Sequence, residues 1–225
     1  MDSVDRDVRK FVFDFFLENA FAPSAQEVAG RLDLSLPAIK DALERLDQAH
    51  HLKLLEGTSR ILMAFPFSAI STPYRVTRKN GQRYFANCAW DSIAFHAMLN
   101  EPVLIESFCD RCEASLAFRL EGGKGISIGQ PLPRVRLALP AAEWWKDITR
   151  TCANTMVFLG PEESGRQSGA LGDSEDPGIV TVDQVYRMSV PIYSGKLRLE
   201  YERPPHSVIQ STFESLGLTG PFWRL

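Results

Sequence analysis

Cysteine is scarce in this 225-residue chain, with Cys88, Cys109, Cys112 and Cys152 the complete set. Four thiols at this length are too few for a disulfide framework, and they fit a reducing compartment. No run approaches the roughly 20 apolar residues that a membrane span needs. The opening Met1-Asp-Ser-Val-Asp-Arg-Asp lacks the basic and apolar regions of a secretory signal, so the expected location is the cytoplasm. An excess of charge of either sign is also lacking: the formal net charge is -3, which points to no particular polyanionic partner. GxGxxG, P-loop and HExxH motifs are absent, so no organic cofactor is expected. The composition, 44% hydrophobic and 24% charged, is that of an ordinary globular protein.

Against this background the stretch Tyr84-Phe-Ala-Asn-Cys-Ala-Trp-Asp-Ser-Ile-Ala-Phe stands out, because Cys88 and Asp91 put a soft nucleophile three residues from an acid. In a helix, positions i and i+3 share a face, so thiol and carboxyl address the same small volume. Asn87 is expected to be the N-cap, which would set Cys88 in the first turn, where free backbone N–H groups favour a thiolate. The same residues suit equally a buried cysteine in a core helix, with Asp91 capping or turned to water. His96 is within helical reach of this face, but a lone histidine beside Phe95 and Met98 reads as packing.

Cys152 lies in Trp144-Trp-Lys-Asp-Ile-Thr-Arg-Thr-Cys-Ala-Asn-Thr-Met-Val-Phe-Leu. A β-prone run, Met156 to Leu159, follows it, which places Cys152 where a loop meets a strand. Alone it would be a packing residue. Two separated thiols and an acid, however, suit a reaction in which one thiolate attacks, a second ligand joins and a proton is delivered.

At these residues the chain resembles the organomercurial (alkylmercury) lyase family. The resemblance rests on Asn87-Cys88-Ala89-Trp90-Asp91, on the Cys109 neighbourhood, and on Trp144-Trp145 through Thr151-Cys152 to Val157-Phe158; it covers roughly residues 24 to 159. It implies protonolysis of a carbon–mercury bond to a hydrocarbon and Hg(II), with Cys88 and Cys152 binding mercury and Asp91 shuttling the proton. It also implies an organomercurial substrate, and small thiols or a mercury-accepting protein to remove the product. Soft mercury prefers thiolate donors, which push electron density onto the departing carbon. The carboxyl of Asp91 is pulled two ways, upward by an apolar pocket and downward by first-turn amides.

The first seventy residues read as a helical unit. Val8, Phe11, Val12, Phe15 and Phe16 recur at helical spacing, Ser24 and Glu27 form a capping box before a helix to Leu32, and Pro37 suits the first position of a third helix carrying Ile39, Leu43 and Leu46. Residues 52–55 and 60–64 look like a two-stranded wing, giving a winged helix-turn-helix. DNA binding would need a positive face, whereas residues 1 to 80 hold 11 basic and 11 acidic side chains. In the lyase family such a region packs against the catalytic part, which implies a scaffold or pocket wall here.

Residues 66–73 look like a linker. Asn80-Gly81 then signals a hairpin, and strands are expected over 103–107, 115–120 and 134–139, with turns at Gly122-Gly123 and Gly129. Cys109-Asp-Arg-Cys112 has no second ligand pair for zinc and no strand-to-helix setting for a redox motif. The resemblance makes Cys109 a structural thiol, with a transient metal relay as the alternative. Trp90, Trp144 and Trp145 suit either an apolar pocket or ordinary core, with Trp90 closest in sequence to the acid. The Gly-rich stretch at 160–178 departs from the family, a helix is expected over 182–188, and the segment after Pro204-Pro205 matches nothing assignable.

The expected architecture is α+β: a winged-helix-like N-terminal domain, residues 1–70, followed by a mixed, mainly antiparallel sheet domain with flanking helices, residues 71–225. The expected activity is an organomercurial lyase. The alternative is a non-catalytic soft-metal or organometal binding protein, or a metal-responsive winged-helix regulator. Nothing in the sequence speaks to oligomeric state.

Overall fold

Side-chain caps begin each of the first three helices in the computed structural model, which describes residues 1–128, 131–159 and 176–225. Asp2 accepts the Asp5 N–H at 2.8 Å to start α1 (Ser3–Asn19), and Ser24 and Glu27 cap each other's backbone at the start of α2 (Ala25–Leu32). Ser35 caps α3 (Leu36–Gln48), so Pro37 occupies the second helical position rather than the first. Each such cap contributes about 1 kcal/mol. Ile39, Leu43 and Leu46 are fully buried, but the inward stripe of α1 is Val8, Val12, Phe13 and Phe16. Phe11 and Phe15 stay half-buried, packing on each other at 5.8 Å.

Three short antiparallel strands come next: β1 (Lys53–Leu54), β2 (Ile61–Ala64) and β3 (Phe67–Ser68). The third strand falls within the linker-like stretch, which is therefore packed structure. The Phe67 ring lies 5.1 Å from Phe16, 5.3 Å from Tyr84 and 4.9 Å from Phe95, joining the helical unit to the C-terminal part of the chain. Tyr84 Oη also donates to Leu17 O at 2.7 Å.

The main sheet is antiparallel, in the order β5-β4-β6-β7-β8. Its first pair, β4 (Arg75–Arg78) and β5 (Arg83–Phe85), is the expected hairpin, with Gly81 at φ +86°, a conformation that favours glycine. Strands β6 (Val103–Phe108) and β7 (Ser115–Glu121) alternate buried and outward residues, as a sheet with one covered face requires, and β8 (Lys124–Ser127) closes the edge. A second sheet has β9 (Arg134–Leu137) between β10 (Thr155–Phe158) and β11 (Ile179–Thr181), again antiparallel.

Between the sheets runs α4 (Ala89–Leu99), in which every residue from Asp91 to Met98 is buried. It packs on α6 (Val182–Tyr193), where Trp90 Nε1 donates to Ser189 Oγ at 2.8 Å. The helix expected over 182–188 thus runs a further turn and more, through Pro191. A short helix, α5 (Ile148–Ala153), precedes β10, and α7 (His206–Ser215) with a closing 3-10 turn at Pro221–Trp223 completes the chain. Trp223, in the tail that matched nothing in sequence, is buried against Phe213 at 5.4 Å. Fold class is α+β. Most of the Gly-rich stretch expected at 160–178, and the turn at Gly129, lie outside the described residues. No described helix is long and apolar enough to cross a membrane.

Candidate active site

Cys88 enters the site from the start of α4, where it is itself the N-cap residue, with extended backbone and no side-chain cap bond. The expectation that Asn87 caps this helix is corrected. Its amide is turned inward instead, Nδ2 donating to Asp91 Oδ2 and to Pro66 O, both at 3.1 Å. Asp91 sits one turn into α4, and the Cys88 thiol donates to its Oδ2 at 3.6 Å. Cys152 comes from α5, so it lies in a helix rather than in the loop expected from sequence, and its thiol reaches the same Oδ2 at 4.0 Å. The ligand atoms of Cys88, Asp91 and Cys152 all lie within 4.8 Å of one another, and the three residues are buried. Cys152 is 61 positions from Asp91 and on a different helix from Cys88, yet the two thiols share one carboxylate oxygen.

The remaining oxygen, Asp91 Oδ1, accepts a 2.6 Å hydrogen bond from Tyr193 Oη, at the last turn of α6. Sequence reasoning missed this residue. Tyr193 is 102 positions from Asp91 and follows Pro191, which breaks the helical signal, so no local pattern marked it.

Burial is the dominant electrostatic influence. It pushes the Cys88 thiol well above its ordinary range, reinforced by the neighbouring Cys152 and Asp91. The thiolate expected from helix-end amides is thus not the resting form at Cys88. Burial also raises the Asp91 carboxyl, while hydrogen bonds from Tyr193 and Asn87 and the charge of Lys196 oppose that rise. Tyr193 is itself pushed well above the usual phenol range by burial and by Asp91, so it is a donor at any ordinary pH.

An apolar cavity opens over the three groups. Trp90, Trp144, Trp145, Phe65, Leu137 and Ile192 form its walls, so all three candidate tryptophans face it. Trp90 and Trp144 meet edge to face at 5.1 Å. Lys196 and Arg203 also line the cavity, and neither was singled out from the sequence.

The other candidates lie elsewhere. His96 is fully engaged, Nδ1 with Glu101 O at 2.7 Å and Nε2 accepting the Gly123 N–H at 3.2 Å, which is a packing role. Cys109 is buried and accepts the Leu159 N–H at 3.2 Å. Burial would raise that thiol, but the amides of Leu159, Arg111 and Cys112 outweigh it and hold it below its ordinary value. Cys112 is half-buried, and all four cysteines are free. Among the described residues, Cys88, Asp91 and Cys152 are the one cluster able to hold a metal ion.

A family model described as alkylmercury lyase matches residues 67–194. That span starts later than the resemblance read from sequence, and it extends past residue 159 to take in Tyr193. A solved structure titled as the mercury-bound form of MerB2 shares the fold, with a TM-score of 0.58 and 17% identity over 81% of this chain and 86% of that one. No curated protein matches the sequence.

Proposed function

This chain belongs to the alkylmercury lyase family and is an enzyme of organomercurial cleavage, and on that premise we propose that Cys88 and Cys152 hold mercury while Asp91 moves the proton. The observation that carries the assignment is the single oxygen, Asp91 Oδ2, set against both thiols at 3.6 and 4.0 Å.

The chemistry rests on that arrangement. One cysteine thiol bonds to the mercury of an organomercurial R–Hg–X, and X departs with the thiol proton as HX. The second thiol gives its proton to Asp91 Oδ2 as its sulfur joins the metal. Two soft donors now enrich the carbon–mercury bond, which breaks with its electron pair on carbon. Carbon takes the proton from Asp91, R–H leaves, and Asp91 is again a carboxylate. Mercury remains as Hg(II) on the two sulfurs. The raised Cys88 and Asp91 values suit this exchange: the acid is poised to receive a proton from a thiol and is not so strong an acid as to keep its charge at any cost. Tyr193 and Asn87 fix the rotamer of Asp91, a positioning role. The tryptophan-lined cavity receives the organic group and excludes water from the departing carbon.

Small thiols, or a mercury-accepting protein, would remove Hg(II) by displacing the two cysteines, and no organic cofactor enters the scheme. The N-terminal helices and β1–β3 we assign to a winged-helix-like domain, residues 1–70, ahead of a catalytic domain, residues 71–225. The N-terminal domain contributes His50 and Phe65 to the cavity, the part of a pocket wall, and its 8 basic against 11 acidic side chains argue against DNA as a partner. We place the protein in the cytoplasm, where its thiols stay reduced.

The test is turnover. With phenylmercury and excess small thiol, purified protein should release many equivalents of benzene per molecule. Stoichiometric uptake of the organomercurial without benzene would instead make the chain a binding protein.

A further inference from the structure

Lys196 is 3% exposed, yet no described carboxylate or hydrogen-bond acceptor partners its ammonium group. What surrounds Nζ is aromatic: the ring centroids of Tyr193, Phe13, Phe65 and Tyr201 lie at 4.8, 5.4, 5.8 and 5.9 Å. Rings attract a cation through their faces, but they do not replace the hydrogen bonds an ammonium loses on leaving water. The segment is held firmly in place. Arg9 of α1, wholly buried, donates to Lys196 O at 2.7 Å, to Leu199 O at 3.1 Å and to Arg198 O.

Lys196 lines the same cavity as the thiols, and so does Arg203, whose guanidinium sits 4.1 Å from the Trp145 ring centroid. His50 stacks on that tryptophan at 4.0 Å. Asp91 is the one acidic side chain among the described lining residues, and Tyr193, Asn87 and the thiols occupy it. The cavity thus has a thiol–carboxylate end and a cationic end, where Lys196 feels the charge of Asp91 through space but makes no direct ion pair. Tyr193 spans the two, its hydroxyl on Asp91 and its ring against Lys196.

Resting on the assignment of Cys88, Cys152 and Asp91 above, we propose that Lys196, backed by Arg203, is a carboxylate-binding subsite for the organic group of the substrate, selecting organomercurials that carry an anion on that group. Such a carboxylate supplies the direct ion-pair partner the ammonium lacks, and the hydrophobic walls of the cavity accept the organic group. Burial and the charge of Arg203 bring the unliganded Lys196 down to about 7, and an arriving carboxylate would hold it protonated.

The experiment compares phenylmercury with 4-carboxyphenylmercury on native protein, Lys196→Met, Lys196→Gln and Lys196→Arg. Each is assayed with neutral dithiothreitol and with mercaptoacetate. Two quantities are read: adduct formation by mass spectrometry, and release of benzene or benzoate. The native preference for the carboxylated substrate should fall roughly thirtyfold in the Met variant, the lower range of losses on truncating a buried charge partner. It should fall similarly in Gln, which covers a Met variant that fails to fold, and be largely kept in Arg. An unchanged ratio in the neutral variants overturns the subsite. So does a charge preference that follows mercaptoacetate while the two arenes behave alike, since the anion site would then serve the thiol. Absence of hydrocarbon from native protein, with a Lys196-dependent adduct ratio intact, would sink the lyase assignment and leave the subsite standing.

Discussion

Replacing Asp91 with asparagine isolates proton delivery from mercury binding, because the structure allows the amide to fit. Oδ2 accepts from Asn87 Nδ2 and from the thiols, so the new carbonyl oxygen belongs there. The new NH2 then faces Tyr193 Oη, which can accept as readily as it donates. No buried donor is left facing another, the charge is gone, and the fold should hold. Both thiols remain for mercury. What disappears is the base that takes the second thiol proton and returns it to carbon. General acid–base groups contribute about 100- to 10,000-fold, or about 3 to 5 kcal/mol of barrier. Asp91→Asn should therefore release hydrocarbon at least about a hundredfold more slowly in single turnover. A protein–organomercury adduct of intact mass should meanwhile accumulate. The assay is rapid quench with gas chromatography for hydrocarbon and mass spectrometry for adduct. Release at near the native rate would refute Asp91 as the shuttle and assign the proton to water.

Cys88→Ser and Cys152→Ser should each abolish hydrocarbon release, since a hydroxyl is too hard and too weakly acidic to act as the second donor; residual turnover within about tenfold of native in either would break the two-thiol scheme. Tyr193→Phe removes the hydrogen bond that helps hold the Asp91 carboxyl down, so its value rises further and the acid limb of the kcat/KM profile should move to higher pH. A profile with an unmoved limb would show that Tyr193 does not act through Asp91. Cys109→Ser with Cys112→Ser should lower the melting temperature more than it lowers turnover per folded molecule, because Cys109 is packed and accepts the Leu159 amide. A fully folded double variant without activity would give these thiols a part in mercury transfer.

Local chemistry makes much of this protein legible in its sequence. The capping box at Ser24 and Glu27, the Asn80-Gly81 hairpin and the alternating strands β6 and β7 depend on neighbours a few positions apart, and each lies where expected. The pairing of Cys88 with Asp91 is likewise a matter of helix spacing. What depends on tertiary contacts is not readable in this way. Asn87 has the chemistry of a cap, but the helix begins one residue later and the amide goes to Asp91. Residues 66–73 have the composition of a linker, but Phe67 finds rings from α1, β5 and α4 to bury itself against.

The division has a physical reason. Residue types, their spacing and their family resemblance determined which side chains bring sulfur and acid to the reaction. Only the folded chain decided that Cys152, 61 positions from Asp91, shares that carboxylate oxygen with Cys88, that Tyr193 clamps the other oxygen, and that Lys196 lies among aromatic rings at the cavity without a direct ion pair. Burial and long-range contact set those environments, and with them the protonation of Cys88, Asp91 and Lys196. A sequence names the groups, but their desolvation exists only once the core has closed around them.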